Sequence, residues 1–410
     1  MNEYWSFDNG PRFLKLGDLT HHVGGFAHEL DSTGYSRLTI LGYVMSIAHF
    51  TTWVRTRKLT IKDINEELVS EFGTHRCHCP GSRRWQRVSK KYARRVRRFV
   101  RYLERQGIIV KSETPAARSM PDFRDWLLQH RGASLRTVER YEGSLLKVLP
   151  ASPRTRRHFT AANVRALVLT EARIRSRPQI RDIVIALRAY LKFLASQGHC
   201  RPGLDHAIPQ IPQWRLAALP RYLPADDIDR VIASCSHESA VGLRDRAILL
   251  LLARLGLRGG DIVKMRIDDV DWRRGTLKVC GKGRREVCLP LPQDAGDAIL
   301  AYLKAARPKV GVEQLFMSMQ APFRCLSNSG AVSNLVSAAL RRAAILKPPS
   351  RGANLLRHSA ATAMLRGGAS LHTVSSVLRH RSTDMTAHYA KVDIIMLQSV
   401  VQPWPEGVSC

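Results

Sequence analysis

The sequence has few acidic residues for its length and no long apolar run. Its 410 residues include 34 Asp and Glu against 65 Lys and Arg, a formal net charge of +31. A cationic excess of this size favours a polyanionic partner, and nucleic acid is the usual one. No apolar run approaches the roughly 20 residues that a membrane-spanning helix needs, and the first residues lack the apolar segment of a signal peptide. We therefore expect a cytoplasmic protein that binds nucleic acid and has no membrane partner.

Cysteine is also sparse, and the positions of the cysteines suggest no disulfide framework. Eight cysteines are scattered along the chain, so we expect reduced thiols rather than disulfides. The segment HRCHC at residues 75–79 holds four side chains of metal-binding type, His75, Cys77, His78 and Cys79. A structural zinc site normally takes two separated pairs of ligands, and this spacing is too tight for all four to bind one ion. The sequence therefore predicts an ordinary loop here and no metal site.

The first half of the chain is predicted to be helical and internally repeated. Residues 1–30 show no clear pattern and are predicted to be a tail, and two helical units follow at residues 31–112 and 118–205. Three short segments recur in the same order in both units, which indicates two copies of one unit, although amphipathic helices also resemble one another by chance. The matches are SRLTILGY (36–43) with SLRTVERY (134–141), TIKDI from Thr60 with TAANV from Thr160, and FVRYLERQG (99–107) with YLKFLASQG (190–198).

The most strongly patterned helix of the first unit is predicted between residues 83 and 105. One face is apolar and comprises Val88, Tyr92, Val96, Phe99 and Leu103. The other faces carry eleven Lys and Arg residues and a single anion, Glu104. A run of charge is usually a solvated face, but so many like charges repel one another unless phosphates neutralise them. We therefore predict contacts to a nucleic-acid backbone from Arg87, Lys90, Lys91, Arg94, Arg98 and Arg101.

A proline-rich linker at residues 206–224 is predicted to separate the helical units from a further domain at 225–410. Early in that domain we expect a buried helix, a turn at Gly256 and a second helix that starts near Gly259. Residues 275–291 favour two strands joined at Gly-Lys-Gly, since glycine supplies the backbone freedom of a tight hairpin. The predicted fold class is therefore mainly α with a small antiparallel β-hairpin sheet.

Residues 351–393 combine three kinds of side chain that act on phosphate. We predict three short helices here, the first capped by Asn354 and stopped by a pair of glycines. The second helix has an apolar face and ends just before His380, and the third carries Tyr389. With Arg357 these residues supply a cation, a pH-tunable donor and a phenol, which can act together on one phosphate.

These motifs, in this order, resemble those of the tyrosine recombinase family, which includes phage lambda integrase and the XerC and XerD recombinases. The match covers roughly residues 225–400, and the helical unit before it is similar to the family's core-binding domain. The matching segments are GLRGGD (256–261) for the first arginine box, GKG (281–283) for the hairpin lysine, NLLRH (354–358) for the second arginine box, and LRH (378–380) with Tyr389 for the final histidine and the nucleophile.

The resemblance implies a role for each catalytic position. Tyr389 attacks the scissile phosphate and forms a 3′-phosphotyrosyl link, while Arg258 and Arg357 bind the non-bridging oxygens as their negative charge grows. Lys282, at the hairpin tip, protonates the leaving 5′-oxygen, and His380 donates a hydrogen bond to the phosphate.

Two neighbouring residues are expected to support this set, and one position departs from the family. Asp261 is one turn after Arg258 and is expected to orient it, and His358 matches the residue that commonly follows the second arginine. The family usually has His three residues before that arginine, where this chain has Asn354. Asn cannot exchange a proton, so an acid–base role is missing there, although its amide can donate a hydrogen bond. No metal or nucleotide cofactor is implied, because the phosphotyrosine conserves the bond energy.

The resemblance thus implies a site-specific recombinase or integrase, associated with a mobile element and transposition. Its implied partners are double-stranded DNA, the other subunits of a homo- or hetero-tetramer, and sister recombinases. Residues 393–401 are apolar enough for a C-terminal helix that docks on a neighbouring subunit. Two alternatives stay open. One is a strand nicking-closing enzyme similar to type IB topoisomerases, and the other is a non-catalytic DNA-binding protein derived from a recombinase, which only Asn354 favours.

Overall fold

The described part of the chain is mainly helical with one small antiparallel sheet, which confirms the predicted fold class. Its residues fall into two compact units: one comprises 24–42 and the described residues from 219 onward, and the other comprises 19–23 and those from 43 to 212. None of the described helices is long and apolar enough to cross a membrane. The computed structural model describes residues 19–77, 79, 90–109, 120–149, 159–212, 219–280, 286–380, 384–391 and 401.

Eight helices make up the described part of the first half. They are α1 (Thr20–Ser32), α2 (Arg37–Thr56), α3 (Glu66–Phe72), α4 (Lys90–Arg105), α5 (Pro121–Gln129), α6 (Leu135–Leu145), α7 (Ala161–Ile174) and α8 (Arg177–Ser196). Helix α1 corrects the prediction of a tail for residues 20–30, while residues 1–18 lie outside the described part. Its Val23, Phe26 and Leu30 are fully buried at helical spacing. A glycine pair inside the helix, at 24 and 25, disguised this pattern in the sequence.

The segments that match in sequence also match in local structure. The Ser36 and Thr39 hydroxyl oxygens lie 2.9 Å apart at the start of α2, and those of Ser134 and Thr137 lie 3.0 Å apart at the start of α6. Helices α4 and α8 are each followed, two residues on, by a left-handed glycine with φ of 71° and 70° respectively. These paired features agree with two copies of one unit, and the duplication stays a prediction.

The predicted linker at 206–224 is free of α-helix wherever it is described. Its first two residues end a short 3₁₀ helix, Leu204–Ala207, and residues 213–218 lie outside the described part. The apolar segment predicted to form a C-terminal docking helix also lies outside it, apart from Val401.

The second half builds eight more described helices and the sheet. The helices are α9 (Ala225–Ala233), α10 (Ala240–Arg254), α11 (Gly259–Lys264), α12 (Gln293–Ala305), α13 (Ser329–Arg342), α14 (Ala353–Arg366), α15 (Leu371–Leu378) and α16 (Asp384–Ala390). The strands are β1 (Val270–Asp271), β2 (Thr276–Cys280) and β3 (Glu286–Pro290), with β2 central and both pairings antiparallel. The predicted hairpin, the turn at Gly256 and the three helices near the C-terminus are all confirmed.

Helix α10 is the centre of this half. Residues 247–253 are all buried, because the helix is enclosed by α9, α12 and α14. This main core extends from Leu223 to Leu356. A separate, smaller cluster joins α14, α15 and α16 through Leu365, Val374 and Tyr389. The helix that carries the predicted nucleophile therefore packs outside the main core.

Candidate active site

Arg357 is held in place by two backbone carbonyls. It lies on the buried face of α14 and is 5% exposed. Its Nη1 donates to the Gly256 carbonyl, in the turn after α10, and its Nη2 donates to the Leu378 carbonyl at the end of α15. Among the described residues these bonds use two of the five N–H donors of the guanidinium. Burial, followed by the charge of Arg258, lowers the pKa of Arg357 to about 10, which leaves the side chain charged at neutral pH.

The turn that receives Arg357 depends on glycine. Gly256 has a left-handed backbone with φ of 58°, and a Cβ there would lie 2.6 Å from Leu378 Cδ2. Glycine alone combines this backbone conformation with so close an approach. The turn after α10 and the end of α15 can therefore meet on either side of the arginine.

The hydroxyl of Tyr389 is hydrogen-bonded to His358. Helix α16 buries Tyr389 to 2% exposure, and its Oη lies 2.6 Å from His358 Nδ1. Burial raises the pKa of Tyr389, and the charges of Arg357 and Arg258 partly oppose that rise. Burial, then His388 and Arg357, lowers the pKa of His358 to about 4. The imidazole is therefore neutral at pH 7 and can accept the phenol proton.

His380 is the second histidine whose ring lies near that of Tyr389. The two rings are nearly parallel, 8° apart, with their centroids separated by 6.3 Å. Nδ1 of His380 lies 2.7 Å from the Thr386 hydroxyl. Burial, then Arg357 and Arg258, lowers the pKa of His380 to about 4. If Nδ1 accepts the hydroxyl proton, the neutral ring carries its own proton on Nε2 and can donate it to a phosphate oxygen.

Arg258 is fixed by Asp261 and Arg379. Arg258 precedes α11, and its backbone N–H donates to Asp261 Oδ2 at 2.9 Å. The same oxygen accepts from Arg379 Nη2 at 2.6 Å, and Arg258 Nη2 donates to the Arg379 carbonyl at 3.2 Å. The Asp261 and Arg379 side chains are only 8% and 7% exposed. Asp261 thus contacts the Arg258 backbone directly and its guanidinium through Arg379, and its orienting role stays a prediction.

Arg379 is a site residue that sequence reasoning missed. It ends α15 with a left-handed backbone, φ of 55°, a conformation that costs a residue with a side chain about 1–2 kcal/mol. Its Nε and Nη1 are buried with no hydrogen-bond partner among the described residues. Its position could have identified it from the sequence. The residue just after a helix end is commonly glycine, and this chain has arginine there.

Asn354 does not cap its helix, which corrects the prediction. Helix α14 begins at Ala353 with Gly352 as the capping residue, so Asn354 is the second helical residue. Its side chain is exposed, one turn before the buried Arg357. The error arose because Asn is a good cap and two apolar residues follow it. Lys282 belongs to the hairpin connection at 281–285, which lies outside the described residues.

The predicted backbone-contact residues lie along one face of α4. Its Val96, Phe99 and Leu103 are fully buried, as the sequence predicts. Opposite them, Lys91, Arg94, Arg98, Arg101 and Arg105 follow at steps of three, four, three and four. All are exposed except Arg98, which is half-buried with its guanidinium 5.9 Å from the Tyr43 ring centroid. We call these five residues the α4 stripe. Arg87 and the side chain of Lys90 lie outside the described part.

One cation of α4 has a structural role instead. Arg97 forms an ion pair with Glu66 of α3 and donates to the Ser70 hydroxyl at 3.2 Å. Arg95 is also tied to α2, since its Nη1 donates to the Ser46 hydroxyl at 3.4 Å and its guanidinium lies 5.4 Å from the Tyr43 ring centroid. The sequence did not separate these two arginines from the rest, because their partners lie 27 residues or more away along the chain.

Comparison with known proteins agrees with this geometry. Residues 221–394 match the Phage integrase family. A protein of Sinorhizobium fredii that carries the name "Putative integrase/recombinase y4rA" is 31% identical over 400 residues, which cover 95% of each chain.

Solved structures of the same fold resemble the chain at lower identity. The XerH site-specific recombinase bound to a palindromic difH substrate is 18% identical, covers 69% of this chain and 86% of its own, and has a TM-score of 0.53. A lambda integrase tetramer bound to a Holliday junction is 17% identical, covers 74% of this chain and 87% of its own, and has a TM-score of 0.51. These two likenesses show the fold, and the near full-length relative shows the family. The chain belongs to the phage integrase family of tyrosine recombinases.

Proposed function

We propose that the protein is a site-specific DNA recombinase that cuts and rejoins strands through a 3′-phosphotyrosyl intermediate. The observation that carries this proposal is the contact of the Tyr389 hydroxyl with His358 Nδ1, 2.6 Å away, beside the buried cation Arg357. A nucleophile, a neutral base and a fixed positive charge are the groups that attack on a phosphodiester requires.

The first step forms one bond and breaks another at phosphorus. Tyr389 Oη bonds to the scissile phosphorus as the bond from phosphorus to the 5′-oxygen breaks. His358 Nδ1 takes the phenol proton, which its neutral state at pH 7 allows. Arg357 and Arg258 neutralise the growing charge on the non-bridging oxygens. Both guanidinium groups are already held by protein contacts, so little reorganisation is needed when the phosphate arrives.

The leaving strand receives its proton from another group. Nε2 of His380 donates to a non-bridging oxygen, and Lys282, by its resemblance to the hairpin lysine, gives a proton to the 5′-oxygen. Rejoining is the reverse reaction, in which a 5′-hydroxyl attacks the phosphotyrosine and releases Tyr389. The linkage retains the energy of the phosphodiester, so the reaction requires no nucleotide.

His358 compensates for the missing histidine at position 354. The exposed Asn354 cannot accept a proton, but a histidine four residues later contacts the tyrosine hydroxyl directly. This contact argues against the non-catalytic alternative, which Asn354 alone favoured. The topoisomerase-like alternative shares the cleavage step and differs in its product, a relaxed circle rather than a recombined joint.

The remaining predictions belong to the same proposal. The α4 stripe binds the DNA backbone, and the helical units at 31–112 and 118–205 together with the domain at 225–410 surround the duplex. The active assembly is a tetramer, as in the lambda integrase complex on a Holliday junction. The integrase name of y4rA supports association with a mobile element.

Covalent trapping tests the proposal. The full chain is incubated with a pool of randomised nicked duplexes. Cleavage near a nick releases a short strand that diffuses away, so rejoining cannot remove the covalent protein–DNA adduct. Wild type is expected to give an adduct that survives denaturation and maps to Tyr389 by mass spectrometry. Tyr389→Phe is expected to bind the pool and give no adduct, while the control Tyr222→Phe, which changes a half-buried tyrosine bonded to Arg366, is expected to give the wild-type adduct. An adduct in Tyr389→Phe would assign the nucleophile elsewhere, and the absence of any adduct in wild type would favour the non-catalytic alternative.

A further inference from the structure

The loop after α3 meets helix α2 at a group of four histidine and cysteine side chains. His49 projects from α2, and His75, Cys77 and Cys79 follow one another along the loop. One ligand atom from each lies within 4.8 Å of those of the other three. His49 and Cys79 are only 4% and 6% exposed. The sequence prediction of an ordinary loop rested on residues 75–79 alone, and His49 precedes that segment by 26 residues (75 − 49).

The spacing of the ligand atoms suits a tetrahedral ion. His49 Nε2 lies 3.2 Å from Cys77 Sγ, and His75 Nε2 lies 4.0 Å from Cys79 Sγ. Bonds of about 2.0 Å to nitrogen and 2.3 Å to sulfur, arranged tetrahedrally, separate neighbouring ligands by about 3.3–3.8 Å. The two observed distances bracket that range, so small side-chain movements bring all four atoms onto one sphere.

The histidine in the loop is oriented as a ligand. His75 Nδ1 lies 2.7 Å from the carbonyl oxygen of Phe72. A carbonyl only accepts, so Nδ1 carries the proton and the lone pair of Nε2 faces Cys79. A bond of this kind, from the other ring nitrogen to a backbone carbonyl, is the usual support of a metal-bound histidine.

Aromatic rings pack around these four side chains. The rings of Phe72 and Trp53 lie 5.1 and 5.3 Å from that of His75, and such rings offer the thiols no strong hydrogen bond. Both cysteines are free thiols in the structure. The geometry points to a structural zinc site of His49, His75, Cys77 and Cys79, since two sulfur and two nitrogen ligands at tetrahedral spacing select zinc.

This site goes beyond the recombination chemistry and serves the helical unit. The ion links α2 to the segment that leads from α3 toward α4, and α3 is itself tied to α4 by the Glu66–Arg97 ion pair. Zinc therefore fixes the helix that carries the α4 stripe, without taking part in strand cleavage.

Metal analysis of the full chain tests the inference directly. Protein purified without chelator, with thiols kept reduced, is expected to retain about one zinc per chain after dialysis. The double variant Cys77→Ser/Cys79→Ser is expected to retain about tenfold less or none. The control Cys288→Ser, an exposed thiol on β3, is expected to retain the wild-type amount.

Cobalt gives a second readout that does not depend on how the variant folds. Wild type stripped of zinc and titrated with Co²⁺ is expected to show the intense visible bands of a tetrahedral ion and a thiolate-to-cobalt charge-transfer band. Zinc added afterwards is expected to abolish both. A wild-type chain that holds no zinc and gives no tetrahedral cobalt spectrum overturns the inference. So does a Cys77–Cys79 disulfide found by mass spectrometry in protein prepared without reductant, or a double variant that binds zinc as the wild type does.

Discussion

Arg379 combines two opposing contributions at a single residue. Its left-handed backbone destabilises the fold, while its buried ion pair with Asp261 stabilises the turn that carries Arg258. Removing one partner of a buried pair generally costs about 3–5 kcal/mol, because the other charge is left uncompensated. Replacing Arg379 alone therefore costs more, through the unpaired Asp261 carboxylate, than the relief of about 1–2 kcal/mol of backbone strain returns.

Two substitutions of Arg379 separate these contributions. Both Arg379→Gly and Arg379→Ala remove the ion pair and are expected to be less stable than wild type. Arg379→Gly, free of backbone strain, is expected to have a free energy of unfolding about 1 kcal/mol higher than that of Arg379→Ala. Urea denaturation measures the free energy of unfolding of both variants. Both variants are also expected to cleave more slowly while binding DNA normally, because Arg258 loses its support. Equal stability of wild type and Arg379→Ala would show that the ion pair does not stabilise the turn.

His358 is expected to control the pH dependence of cleavage. With its pKa lowered to about 4, the wild-type base is neutral throughout the neutral range, so the single-turnover rate is expected to be flat between about pH 6 and 8. His358→Gln cannot accept a proton and is expected to be slower by about 10²-fold or more at pH 7.

The same variant is expected to gain rate with pH. Without a base, the reaction depends on ionised Tyr389, whose pKa is raised by burial, so the rate rises about tenfold per pH unit across this range. Profiles of equal slope in wild type and His358→Gln would exclude His358 as the proton acceptor.

At the scale of elements, helix α4 carries exposed cations and internally paired ones. Lys91, Arg94, Arg101 and Arg105 of the α4 stripe are exposed, whereas Arg95 and Arg97 contact residues of α2 and α3. Removing two charges from either set changes the net charge equally, so the two pairs of arginines form a matched comparison.

Salt titration of DNA binding distinguishes the two sets. Arg94→Gln/Arg101→Gln is expected to flatten the plot of log affinity against log salt by about two units, one for each phosphate that the helix no longer neutralises. Arg95→Gln/Arg97→Gln is expected to keep the wild-type slope and to lower the thermal midpoint. If both double variants flatten the slope alike, the change comes from the lower net charge of the protein and not from the loss of the stripe arginines.

Local patterns predicted the elements that are decided locally. The apolar period of α4, the two strands β2 and β3 and the apolar face of α15 each depend on residues within one element, and the structure has those elements. Two contacts join segments that are distant in sequence, namely that of His49 with Cys77 and that of Asp261 with Arg379. No local sequence pattern predicts such contacts. The matched order of the arginine, histidine and tyrosine motifs named the site residues, because it is a property of the family rather than of any single helix.

At the scale of the whole molecule, the buried histidines link folding to pH. In the unfolded chain a histidine has a pKa of about 6.5, whereas His358 and His380 have pKa values lowered to about 4 by burial. Between these values the unfolded chain binds more protons than the folded one. Their contribution to stability is therefore complete above about pH 6.5 and is lost as the pH falls toward 4.

A difference measurement isolates this linkage. The thermal midpoint of wild type is expected to fall between pH 6.5 and pH 4, and that of His358→Gln is expected to fall less over the same interval. Calorimetry of both proteins in one buffer series gives the difference between the two curves, in which contributions from other groups cancel. A difference that does not vary with pH would show that His358 titrates alike in the folded and unfolded chains.

Gly256 has a consequence for heredity as well as for geometry. Every single-base change in a glycine codon that alters the residue gives either a side chain or a stop. Here any side chain meets the buried Leu378, whose carbonyl holds Arg357. Almost any missense mutation of this one codon should therefore shift the carbonyl that holds Arg357 and slow cleavage, although residue 256 itself touches no DNA in the proposed reaction.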